Sequence, residues 1–123
     1  MTSASLGRRA LAELIGTGLL LIAVVGSGIA ARNLSPGNVG LQLLENAAAT
    51  AGALIAIILA LGPISGAHLN PAVTIADCLL GGLNARAASA YIAAQLAGAA
   101  IGAVIANLMF ELPAVEWSTT SRW

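Results

Sequence analysis

The sequence has no lysine, and its five arginines and five carboxylates make up only 8% of 123 residues. Soluble domains carry about 25% charged residues, so the chain lacks what keeps a globular surface in water. Charge of one sign is nowhere massed: the formal net charge is zero and aromatics are 3% of the residues. Without a basic block or an aromatic platform, nucleic acid is not an expected partner. The single cysteine, Cys78, has no partner for an intrachain disulfide. Set in an apolar run, it reads as a small buried hydrophobe. The sequence shows no nucleophile-and-base pair, metal cluster or phosphate loop, so no enzyme, catalytic residue, metal site or cofactor is expected.

What the chain has in abundance is apolar length, 59% of it being hydrophobic. Roughly 20 apolar residues cross a hydrocarbon core of about 30 Å as a helix, which predicts an all-α integral membrane protein. The first span covers about 10–31, between Arg8 and Arg9 on one side and Arg32 on the other, with Glu13 a turn inside. It is longer than the apolar core of a signal peptide and is read as retained. The segment 33–40, NLSPGNVG, has the composition of a loop in water. A second span covers about 41–61, and Gly62 and Pro63 are expected to break it. A third covers about 85–110, in which Gly98 and Gly102 allow close approach of a neighbouring helix. Ala12, Gly16, Gly52 and Ala56 suggest similar packing elsewhere. The tail, 111–123, is polar enough to leave the bilayer, with Trp117 and Trp123 suited to its interface.

Between the second and third spans, 62–80 is too short to cross. A helix from Pro71 to about Leu80 is roughly 15 Å long, half a bilayer. The eight residues before it, Gly62 to Leu69, reach at most about 26 Å, enough to dip to mid-depth and return as a re-entrant half-helix. Non-helical backbone at that depth is tolerated where protein covers it or a wet cavity faces it. Asn70 and Pro71 suit the N-cap and first position of a helix, whose N-terminus carries a positive charge of about half a unit. Ser65, Gly66, Ala67 and His68 read as extended backbone, with Gly66 and Ala67 small enough to bare it.

The ten residues SGAHLNPAVT, 65–74, closely resemble the first signature of the major intrinsic proteins, the aquaporin and aquaglyceroporin channels. The hallmark of that family is the Asn-Pro-Ala triplet, here Asn70, Pro71 and Ala72. AELIGTG at 12–18 and YIAAQLAGAAIGA at 91–103 extend the resemblance over the first and third spans. The resemblance implies a passive channel for water and small uncharged solutes, assembled as tetramers in the inner or plasma membrane. It implies that the carbonyls of Gly66, Ala67 and His68 accept hydrogen bonds along a pore into which Asn70 donates. Glu13 and Gln95 would brace the loop, together with Pro71 and Ala72, and the His68 ring is read as packed support rather than a pH gate. Twenty positions before Asn70, Thr50 falls where family members place a residue of the outer constriction. A threonine there would leave a wide, partly polar opening for glycerol, urea or a neutral metalloid hydroxide. Asp77, an acid where the family half-helix is usually apolar, has no assigned role.

The sequence departs from the family in carrying one such repeat where a complete channel has two in opposite orientation. Three arrangements would supply the other: a longer product of which this is part, which is preferred, a separately made second half, or an inverted copy of the same chain. On the family topology Arg8, Arg9 and Arg86 lie inside and Arg32 and Arg122 outside, a weak positive-inside bias. Alternative functions are a non-conducting, truncated partner packed against other membrane helices, or one inverted repeat of a secondary transporter.

Overall fold

A computed structural model of the chain describes residues 4–117; Trp123 and Arg122, assigned above to the interface and the outside, lie beyond them. The described residues form four helices and no strand: α1 Leu6–Leu34, α2 Val39–Ser65, α3 Pro71–Leu79 and α4 Ala85–Met109. Helices answer the demand that backbone N–H and C=O groups be satisfied within the segment where lipid offers no partners. Each helix begins at a short polar residue whose oxygen accepts an orphan N–H. These caps are Ser5 for Arg8, Asn38 for Leu41, Asn70 for Ala72 and Asn84 for Ala87. Three helices, α1, α2 and α4, are long and apolar enough to cross a membrane. At nine residues, α3 is not.

The expected break of the second span at Gly62 and Pro63 does not occur, since α2 runs through both to Ser65. A proline in the last turn removes one ladder bond, the one to the Leu59 carbonyl, and the following residues continue the helix. The terminator is Gly66, at φ +92°, whose N–H returns to the Gly62 carbonyl at 2.9 Å. A left-handed residue of this kind commonly closes a helix.

α1 is central, with α2 and α4 packed on it, while α3 packs on α4. Glycines set the α1–α4 seam. A Cβ at Gly98 would run into the Leu14 carbonyl and one at Gly102 into the Gly18 carbonyl, while one at Gly18 would lie 3.3 Å from the Gly98 oxygen. The two backbones therefore touch, as the spacing of Gly98 and Gly102 suggests. On the α2 side, Gly16 makes room for Leu69 and Leu61, and Asn46 Nδ2 donates to Val24 O and Ser27 Oγ of α1, each at 2.8 Å. Gly52 and Ala56 do not share in such packing: a Cβ on Gly52 would meet nothing within 4 Å, and Ala56 is exposed. Most of α2 faces outward, with Leu43, Leu44, Ile55 and Leu59 uncovered.

Candidate functional site

Residues 66–70, the loop from α2 into α3, are held by side chains from α1 and α4. Glu13 of α1 is fully buried, and four donors converge on its carboxylate. Ser65 Oγ and the His68 N–H reach Oε1 at 2.6 and 3.0 Å, and the Leu69 N–H and Gln95 Nε2 reach Oε2 at 2.7 and 2.8 Å. This is the full set of an acceptor-only carboxylate. The Ala67 N–H bonds to Ser65 Oγ at 3.1 Å. The loop is not extended, as its small residues suggested. Ala67 and Leu69 sit at φ 48° and 56°, left-handed conformations that cost about 1–2 kcal/mol each for a residue with a Cβ. The reason is visible in the bonds: alternating the backbone hand turns successive N–H groups toward Glu13.

With those N–H groups bound to the scaffold, the carbonyls of Gly66, Ala67 and His68 accept no hydrogen bond from the described residues. Asn70 follows on the same strand of chain. Its Oδ1 accepts from the Ala72 N–H at 2.8 Å, which fixes the amide so that Nδ2 points away from the helix it caps, on an exposed residue. Pro71 occupies the first helical position, where its missing N–H leaves nothing unsatisfied.

α4 supplies the opposite wall. Gln95 Nε2 bonds both Glu13 and, at 2.9 Å, Thr74 Oγ1 of α3, tying three helices through one amide. Thr74 Oγ1 lies 3.1 Å from His68 Nδ1. A Thr74 hydroxyl that donates to Nδ1 goes with a ring proton on Nε2, and one that accepts from Nδ1 goes with the other tautomer. The ring packs edge-on to Tyr91, centroids 5.4 Å apart. Tyr91 donates to the Ser65 carbonyl at 2.6 Å and accepts from Arg9 Nε at 2.8 Å. Nε2 of His68 points toward Asp77, 3.7 Å from its Oδ2.

The structure thus brings together Glu13, Gln95, Gly66, Ala67, His68, Asn70, Pro71 and Ala72. Thr50 stands apart on α2 with no hydrogen bond to the loop, and its hydroxyl oxygen is shielded and has no partner among the described residues. Thr74 and Tyr91 are functional neighbours that the sequence reading missed. Their signal is periodicity: Tyr91 and Gln95 are one turn apart on an apolar helix, as are Asn70 and Thr74 on the short one. A cleft of about 780 Å³ lies at the other ends of α1 and α4, lined by Arg32, Asn33, Asn107 and Trp117 among others, and does not reach the loop.

A model of the major intrinsic protein family matches residues 1–120. The aquaglyceroporin AqpS of Rhizobium meliloti (strain 1021) is 47% identical over 122 residues, covering 99% of this chain and 52% of the relative. The glycerol uptake facilitator protein of Bacillus subtilis (strain 168) is 38% identical over 118 residues, covering 88% of this chain and 38% of that protein. The aquaporin AqpM of Methanothermobacter marburgensis is 41% identical over 115 residues, or 82% of this chain and 47% of that one. The chain therefore spans about half the length, or less, of these curated relatives.

Proposed function

Because this chain belongs to the major intrinsic protein family, a family of multi-pass membrane channels rather than enzymes, we propose that it supplies the first repeat of a passive pore. The pore would carry water and small uncharged solutes of the glycerol, urea or metalloid hydroxide type. It conducts when a second repeat of opposite orientation, on the same or another chain, faces the first. The observation that carries this reading is the division of the loop's polar groups. Glu13 and Ser65 take the N–H groups of 67–69, and the carbonyls of 66–68 and Asn70 Nδ2 are left for something else. In a membrane that something must hydrogen-bond without bearing net charge, because the N-terminus of α3 disfavours cations and the apolar surroundings penalise ions of either sign. A molecule that both donates and accepts replaces its lost water contacts here, which makes the pore fast for neutral solutes. Glycerol in the names of two relatives agrees with this solute class.

In this reading Glu13, Gln95, Pro71 and Ala72 support the loop, and Thr50 contributes to the outer constriction. The uncovered apolar face of α2 packs against the completing repeat or neighbouring protomers of a tetramer. The same face is the observation that favours the second reading, a non-conducting partner of other membrane helices. Stopped-flow swelling of liposomes containing the purified protein separates the two. Water and glycerol or urea permeation supports the pore; none, where a full-length relative conducts, supports the partner. Thr50→Trp is expected to lower glycerol passage relative to water, and an unchanged preference removes Thr50 from the constriction.

A further inference from the structure

Asp77 is the one charged side chain of α3, and the loop scaffold does not use it. A carboxylate in a membrane-embedded segment normally has a partner or faces a wet path. Its carboxylate receives no hydrogen bond from the described residues, and its approach to His68 Nε2, 3.7 Å, exceeds the usual limit of about 3.2 Å. The position is nevertheless built. Asp77 lies two turns after Asn70, on the same side of α3, and Gly82 leaves it room, since a Cβ there would collide with the carboxylate. His68 is held from three sides: its backbone by Glu13, its Nδ1 by Thr74 and its ring by Tyr91. The two side chains are 14% and 39% exposed. With the ring proton on Nε2, the tautomer in which Thr74 donates to Nδ1, a donor and the acceptor Oδ2 stand side by side, neither closed on the other, at the end of the repeat that carries Arg9 and Tyr91.

Building on the pore reading above, we infer that His68 and Asp77 form a second polar station for solutes that present an acceptor and a donor on adjacent atoms, as a vicinal diol or a urea-type amide does. The solute oxygen accepts from His68 Nε2–H while its neighbouring O–H or N–H donates to Asp77 Oδ2. A single water oxygen must serve both groups at once and bends one of the two bonds, whereas a two-point solute satisfies both. Asp77 therefore tilts this pore toward polyols and amides relative to water, at the opposite end of the path from Thr50.

The chain's single histidine gives an unambiguous probe. In lipid nanodiscs of the intact protein, titration with glycerol or urea is expected to shift the His68 ring signals saturably. The shift is lost in Asp77→Leu and partly kept in the isosteric Asp77→Asn, whose amide oxygen still accepts. In proteoliposomes, Asp77→Leu is expected to lower the glycerol-to-water permeability ratio roughly three- to tenfold, the factor set by one net hydrogen bond. An unmodified protein whose ring ignores both solutes, or an Asp77→Leu protein of native helix content with the unmodified response and ratio, overturns the station. If the unmodified protein conducts nothing while His68 responds, the station stands and the pore reading falls. If it conducts with no ring response and an unaltered ratio, the pore stands and the station falls.

Discussion

Glu13 on α1 and Asp77 on α3 are two carboxylates in apolar helices, and the structure treats them oppositely. Glu13 is fully buried and takes four hydrogen bonds from three other segments of the chain. Asp77 is partly exposed, approaches one histidine at 3.7 Å and takes none from the described residues. The difference separates two uses of the same group. A buried carboxylate is tolerated when donors compensate its desolvation, and once they do it has no acceptor capacity left for a solute. Glu13 therefore shapes the loop, while the lone pairs of Asp77 are taken by no donor of the described residues.

Breaking the Glu13 side of this contrast should have the largest effect. Glu13→Gln turns an amide NH₂ toward two of the four donors, and it is expected to destabilise the fold by about 3 kcal/mol or more, measured by unfolding in mixed micelles with circular dichroism. Native-like stability would mean that the carboxylate is not the clamp. Gln95→Leu removes a donor from both Glu13 and Thr74, but also removes an Oε1 that has no partner, so a smaller loss of about 1–3 kcal/mol is expected in the same assay. Tyr91→Phe releases only the Ser65 carbonyl and Arg9, with a loss near 1 kcal/mol. Asp77→Asn should change stability by no more than about 0.5 kcal/mol, as a side chain outside the packed network does. A loss comparable to that of Glu13→Gln would erase the distinction between the two groups.

The glycines repeat the lesson with packing in place of charge. Gly98 and Gly102 recur at the same four-residue interval as Gly52 and Ala56, yet the first pair meets the backbone of α1, while a Cβ on Gly52 would meet nothing within 4 Å and Ala56 is exposed. Spacing of small residues declares that a close approach is permitted; it does not say which helix makes it, or whether that helix belongs to the same chain. Much of the candidate site was legible for a related reason. Asn70 and Pro71 are local signals, an N-cap and a first-turn proline, and they act within one turn of helix. The partners of His68 were not legible, because Thr74, Tyr91 and Asp77 reach it from two different helices.

Composition and hydropathy by themselves determined that the chain forms apolar helices of bilayer length with one short helix between them, since lipid leaves the backbone no other way to bond. Asn70 and Pro71 also located the start of the short helix, an N-cap and a first-turn proline acting locally. Only the tertiary structure decided which way the loop turns its N–H groups and which carboxylate is consumed in holding them. Those outcomes depend on donors and acceptors more than fifty residues apart in the chain, such as Glu13 and Leu69, whose meeting no local pattern encodes.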